Sequence, residues 1–200
     1  MATDDPALKQ QTERLTMLSL AGVLVVALGI LVSGAAMGRV WWCSAGDLWP
    51  WTWDVWSTHC SQHLVDPYTL SHLQHGIGLY LLLTVLRRRR LTPDVRMLLV
   101  ALVEAAWEIA ENTNWMIDRY RTTTISLDYY GDSILNSLFD YLACVAGVLL
   151  AVRLPWRVSL GLFVALEAIC IFWIRDSLLL NILMLVCPVE AIRHWQMAAN

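Results

Sequence analysis

Runs of about twenty apolar residues, repeated along the chain and parted by short charged segments, leave few folds open. Residues 15–36 form the first such run, long enough to cross the hydrocarbon core of a bilayer, which takes ~20 residues in a helix. In that medium each backbone N–H and C=O must find a partner inside the segment, so the run must be helical. Composition agrees: 58% of residues are hydrophobic and 16% charged, where soluble domains carry about 25% charge. Mean hydropathy is +0.53. These features predict an all-α, polytopic membrane bundle forming one domain over residues 1–200. A nucleic-acid partner is excluded, because the one basic block, Arg87 to Arg90, abuts an apolar run and reads as a membrane anchor.

About six spans follow from the pattern. After 15–36 come 71–86 (with 68–70 joining it), 95–117 opened by Pro93-Asp94, a fourth from Asp132 or Ser133 to Arg153, 156–174, and a weaker sixth over 177–195 that Pro188 kinks or divides. A cleaved signal peptide ending near Ser33-Gly34-Ala35 is the rival reading of the first run, which exceeds the ~7–15 apolar residues of such peptides. Residues 39–70 are a Trp-rich connection, with Trp41, Trp42, Trp49, Trp51, Trp53 and Trp56 among Asp47, Pro50 and Asp54, suited to the headgroup layer. Residues 118–131 are a polar loop. Lys9, Arg14, Arg87 to Arg90, Arg96, Arg153, Arg157 and Arg193 fall on one side of this map, and Arg39, Arg119, Arg121 and Arg175 on the other. That excess puts both termini in the cytoplasm and makes 39–70 and 118–131 periplasmic. There a disulfide between Cys43 and Cys60 is chemically permitted and is expected, whereas Cys144, Cys170 and Cys187 in apolar runs should be inert thiols. His59 and His63 read as surface residues of the connection.

The apolar runs are not uniformly apolar. Glu104, Glu108 and Glu111 fall on one narrow stripe of a helix at ~100° per residue. His72 and His75 open the second span, and Asp132, Asn136 and Asp140 open the fourth at a spacing of four. An intramembrane acid costs about 2.5–3.5 kcal/mol even on lenient scales, so each marks a functional site by default. On the topology above, all three stripes lie toward the same, periplasmic end. Each has a plainer reading: hydrogen-bonded interfacial histidines, an N-cap for Asp132, interhelical glue for Asn136 and Asp140. Together they form a candidate metal site of His72, His75, Glu104, Glu108, Glu111 and Asp132, since imidazole and carboxylate suit zinc, iron or manganese. Glu108, Glu111, Asp132, Asn136 and Asp140 are the candidate catalytic groups. Glu167 lies inside the fifth span with no partner evident.

At these residues the sequence resembles a family of uncharacterised integral membrane proteins of Gram-negative bacteria. The strings that carry the likeness are Met37-Gly-Arg-Val-Trp-Trp-Cys43, Ser61-Gln-His63, Tyr68-Thr-Leu-Ser-His-Leu-Gln-His-Gly76, Glu104-Ala-Ala-Trp-Glu-Ile-Ala-Glu-Asn-Thr113, Tyr120-Arg121-Thr, Thr124-Ile-Ser-Leu-Asp-Tyr-Tyr-Gly-Asp-Ser-Ile-Leu-Asn-Ser137, Ile174-Arg-Asp176 and Pro188-Val-Glu-Ala-Ile192. The resemblance implies an inner-membrane location and no activity. More loosely, the order His-Gly, paired Glu, Gly-Asp and later Asp is similar to YjdF-like and VanZ-like membrane proteins.

Two histidines and up to five carboxylates at one depth point to a metal-dependent hydrolase or transferase for a lipid or lipid-linked, amphiphilic substrate. In such an enzyme Arg119, Arg121 and Arg175 would clamp a phosphate or carboxylate. A proton- or ion-coupled transporter is the second class, disfavoured because the polar groups stop in one leaflet half and no internal repeat is evident. An assembly factor gripping a protein partner through the Trp-rich loop is the third.

Overall fold

The computed structural model describes residues 15–87 and 91–198. Among them stand eight helices and no strand: α1 Met17–Ala36, α2 Thr69–Arg87, α3 Pro93–Glu111, α4 Asn114–Thr123, α5 Ile134–Arg153, α6 Trp156–Ile174, α7 Leu178–Val186 and α8 Glu190–Met197. Lys9, Arg14 and most of the Arg87 to Arg90 block, which weigh in the expected orientation, lie outside the described residues.

Three helices, α1, α5 and α6, are long and apolar enough to cross a membrane, and they mark a membrane protein. Their packing agrees. α1 buries a single stripe of Ser19, Val23, Ala27 and Ile30 and turns Leu24, Val25, Leu28 and Val32 outward. α6 does the same, with Phe172 88% exposed. Apolar side chains stay outside at no cost when the surrounding medium is hydrocarbon.

α5 is the centre, packed against α1, α2 and α3. It meets α2 backbone to backbone. A Cβ on Gly76 would stand 2.8 Å from the Cys144 carbonyl carbon and 2.9 Å from Val148 N, and one on Gly147 would stand 3.1 Å from Gly76 Cα. Only glycines permit that approach. α1 joins the same core, with Val23, Ala27 and Ile30 beside Met97, Val100, Tyr141 and Cys144. The Tyr141 hydroxyl donates to the Val23 carbonyl at 2.9 Å.

One expectation needs correction, and one alternative left open by the sequence is resolved. The run 95–117 is not one helix. α3 ends at Glu111, and Thr113 starts α4 by accepting the Met116 amide at 3.3 Å. α4 thus occupies part of the expected loop 118–131. Of the two readings of residues 177–195, the divided one matches, because the chain breaks at Cys187 and Pro188 into α7 and α8. α7, at nine residues, is roughly 14 Å long, half the hydrocarbon thickness. Glu167 finds its partners here. It accepts from Gln74 Nε2 at 2.9 Å, Ser177 Oγ at 2.7 Å and the Leu179 amide at 3.1 Å, tying α6 to α2 and to the start of α7.

The Trp-rich connection, residues 37–68, is held by turns and one isolated bridge between Trp51 and Val65. It seats on the start of α5. The first amides of a helix have no intrahelical partner, and the loop supplies them: Ser133 N donates to Ser61 O at 2.9 Å and Ile134 N to Val40 O at 2.8 Å. Asn136 Nδ2 donates to His63 O at 2.8 Å, and Gln62 Nε2 to Gly131 O at 2.8 Å.

Candidate metal centre at the polar end of the bundle

The first turn of α2, the last turns of α3 and the first turns of α5 meet beneath that loop. Glu104 bridges the two imidazoles, its Oε1 2.6 Å from His72 Nδ1 and its Oε2 2.9 Å from His75 Nδ1. Such a carboxylate fixes the tautomer and direction of the rings it holds. With Nδ1 turned to Glu104, His72 Nε2 faces Asp140 Oδ2 at 3.9 Å. Glu108 Oε1 lies 3.2 Å from His72 Nδ1, yet neither Glu108 oxygen makes a hydrogen bond, and neither does Asp140 Oδ1. Glu108 is 1% exposed.

Two groups of three are close enough to hold one ion, each offering ligand atoms within 4.8 Å of one another: His72, His75 and Glu104, and His72, Glu108 and Glu111. The structure therefore brings together five of the six expected metal ligands. Asp132, the sixth, stands at the same end as an anchored carboxylate. Its Oδ1 accepts from the Tyr129 hydroxyl at 3.0 Å and its Oδ2 from Asn112 Nδ2 at 2.9 Å, while its amide donates to Asn112 Oδ1 at 2.8 Å. It is not the N-cap of α5. Ser133 is, accepting the Asn136 amide at 3.1 Å. Burial, reinforced by the charges of Asp132 and Glu111, holds the Tyr129 phenol above its ordinary range, so it stays a donor. Asn136 spends its amide nitrogen on the loop and leaves Oδ1 without a partner.

The three expected clamp arginines lie elsewhere, each on a backbone carbonyl. Arg119 grips Leu185 O through Nε at 2.9 Å and Nη2 at 2.6 Å. Arg121 donates to Tyr129 O, and Arg175 to Trp195 O at 2.8 Å while lying over the Trp195 ring. Arg39 shares a cleft with members of the cluster. Its Nη1 donates to Tyr130 O at 2.6 Å, and it rims a narrow cleft in which Ile30, Gly34, Met37 and Ile109 lead to Glu108 and Asp132. Sequence reasoning passed over Arg39 because it precedes the Trp-rich run by only two residues and sits on no helix. A wider cleft of about 150 Å³ opens among Trp56, Cys60, Tyr68, Ile125 and Tyr129 on the loop side.

The expected disulfide does not form. Cys43 and Cys60 are both free, with Cys43 Sγ 3.2 Å from His59 Nδ1 and Cys60 Sγ turned to Asp66 Oδ2 at 3.9 Å. His63 is likewise no surface residue: it is fully buried. Of the three thiols expected to be inert, Cys144 and Cys170 are buried and Cys187 is exposed at the end of α7.

Comparison with known proteins places the chain. The family described as "Protein of unknown function (DUF2585)" matches residues 34–198. The chain is 51% identical over 172 residues to the UPF0314 protein of Sinorhizobium fredii, covering 86% of each. It is 46% identical over 188 residues to that of Rhizobium meliloti, covering 94% of this chain and 93% of the relative. With the UPF0314 protein of Paracoccus denitrificans it shares 47% over 162 residues, 81% and 83% of the two chains. No solved structure matches it. A chain matched over most of its length by this family, and over four-fifths or more by such relatives, belongs to DUF2585, the UPF0314 proteins.

Proposed function

We propose that the chain is a multi-pass protein of the bacterial inner membrane with a cytoplasmic N-terminus, and that its polar end is the divalent-metal centre of a hydrolase or transferase for a lipid or lipid-linked substrate. The expected cytoplasmic C-terminus gives way in this reading, because α8 folds back to the level of Arg175 and Asp176 at the periplasmic end. The observation that carries this reading is Glu108, a fully buried carboxylate without a hydrogen-bond partner, among four other buried acids served by two imidazoles. Buried charge must be paired, coordinated or neutralised. A cation between Glu108, Glu111 and His72 meets that demand, and their donor set suits zinc, iron or manganese.

When bound, such an ion supplies Lewis acidity and an activated water. The chain's own residues do the rest. Glu104 orients both imidazoles, and His75 shares it with His72. Asp140 stands beside His72, and Asp132, steadied by Tyr129 and Asn112, lines the apolar-walled cleft with Glu108. In this reading Asp132 is the group that exchanges a proton with the substrate, and Glu108 holds the ion. Arg39 at the rim suits an anionic head group. The exposed Trp41, Trp49, Trp51 and Trp53 of the loop suit the membrane interface.

The test pairs two readouts. Purified wild-type protein and Glu108→Gln are analysed for bound metal, and the lipids of a deletion strain are compared after complementation with each. The proposal expects the variant to lose one equivalent of metal and to leave the deletion's lipid profile uncorrected. Equal metal content in the two proteins, or full lipid correction by the variant, would overturn it.

A further inference from the structure

A second cluster lies outside that centre, within the Trp-rich loop. Cys43, His59 and His63 offer ligand atoms within 4.8 Å of one another. Asp47 completes the group, with Oδ2 3.9 Å from His59 Nδ1 and 4.0 Å from His63 Nε2. We propose that Cys43, Asp47, His59 and His63 form a closed, structural zinc site that staples the loop over the bundle.

The spacing fits the ion. Zinc bonds of ~2.3 Å to sulfur and ~2.0–2.2 Å to nitrogen or oxygen put tetrahedral ligand atoms about 3.3–3.6 Å apart. His59 Nδ1 and His63 Nε2 are 3.3 Å apart, and Cys43 Sγ is 3.2 Å from His59 Nδ1. Asp47 needs a shift of only about 0.5 Å to match, which a half-exposed side chain makes by rotation.

The protons do not account for this arrangement. His59 Nδ1 is approached together by a thiol sulfur, a ring nitrogen and a carboxylate oxygen. One N–H cannot serve three partners. His63 points the same way: its Nδ1 is bonded to the Trp49 carbonyl oxygen, which fixes the proton there and leaves Nε2 as a lone pair aimed into the cluster. A metal-bound imidazole is typically held in this manner by its second nitrogen. The ring is fully buried, and that lone pair faces His59 Nδ1 at 3.3 Å, the same nitrogen that Cys43 and Asp47 approach.

The loop also needs a staple. Irregular segments beyond ~12–15 residues are uncommon in folded domains, and residues 37–68 hold neither helix nor strand while exposing four Trp side chains. A cation joining Cys43 to His63 closes most of that segment, and binding free energy becomes folding free energy. The staple in turn fixes His63 O and Gln62, which hold Asn136 and Gly131 at the mouth of α5. A thiolate with two imidazoles selects zinc over magnesium or calcium, and four protein ligands leave no open position for catalysis.

Full-length protein in detergent, stripped by a chelator and titrated with cobalt(II) alone, tests the site. The proposal expects a thiolate-to-cobalt charge-transfer band in the near ultraviolet that saturates with added cobalt and is bleached by zinc. Cys43→Ser should abolish the band, and His63→Gln should weaken cobalt binding roughly tenfold or more. Glu108→Gln and Cys144→Ala should both leave the band intact, which separates this site from the one between the helices. No band, or a band surviving in Cys43→Ser, overturns the proposal. If Cys43→Ser does not accumulate, alkylation of the unmutated chain decides: zinc protecting Cys43 supports the site, and equal labelling with and without zinc rejects it.

Discussion

Replacing Gly147 with Ala strikes the backbone-to-backbone contact between α2 and α5. The new methyl would overlap the Leu73 carbonyl oxygen and stand 3.1 Å from both Gly76 Cα and Ile77 N. Carbon atoms rest ~3.5–4.0 Å apart, and everything the methyl meets is backbone, so relief comes only by moving α2 away from α5. Overpacking of this kind costs about 1–3 kcal/mol. At about 2–4 °C per kcal/mol for a chain of this size, the melting midpoint should fall by roughly 2–12 °C. The displacement also reaches the candidate centre, because His72 lies one turn before Gly76 and its Nε2 sits 3.9 Å from Asp140 on α5. The matched control is Gly161→Ala on α6, where a Cβ meets nothing within 4 Å. That change should be neutral or stabilise by about 0.5–1 kcal/mol through helix propensity. Melting of both variants in one detergent decides: Gly147→Ala as stable as wild type, or Gly161→Ala equally damaged, refutes the account of α2–α5 packing.

Other outcomes follow from the same geometry. Burial pushes the Asp176 carboxyl up from 3.8 to about 6, against the opposing pull of its bonds from Ser177, Asn181, Tyr68 and Gln196. The folded state therefore binds this proton more tightly than the unfolded. The contribution of Asp176 to stability should be complete below pH 3.8 and be lost, by about 3 kcal/mol, as pH rises through 6, a slope that Asp176→Asn should remove from the profile; superimposable profiles sink the idea. Asn112→Ala removes the amide that serves Asp132, Ser137 and the Glu108 carbonyl, and it orphans the Asp132 N–H. It should cost about 1–3 kcal/mol or more in denaturation experiments, and a loss under about 0.5 kcal/mol counts against a buried network. For orientation, Asp128→Cys should react with an impermeant maleimide in intact cells and Arg153→Cys only after permeabilisation; the reverse pattern inverts the proposed topology.

What the sequence revealed, and what it hid, divides along physical lines. The length of the apolar runs made α1, α5 and α6 legible, because hydrocarbon leaves the backbone one option. The runs also grouped His72, His75, Glu104, Glu108 and Glu111, since ionisable residues in apolar runs stand out and helices joined in sequence tend to pack together. Local breaks were harder. The α3–α4 break lies in the short polar string Asn112-Thr113-Asn114, which continues the acidic stripe of Glu104, Glu108 and Glu111, and the Thr113 side chain supplies the cap there. The loop was least legible. Cys43 and Cys60 suggested a bridge by type and compartment, but the nearest ligand to Cys43 is His59, sixteen residues away, and no helical spacing announces it. Arg119 suggests a clamp for an anionic substrate by its type and position, whereas its guanidinium group satisfies the Leu185 carbonyl at a broken helix end. Only the fold distinguishes those two uses.

An anomalous-difference map from crystals grown with zinc or manganese tests the central claim most directly. The account predicts a peak among α2, α3 and α5, within roughly 2.0–2.6 Å of Glu108 and at least two of His72, Glu111 and Asp140. A map with no peak there, and with His72 still bonded only to Glu104, would contradict it.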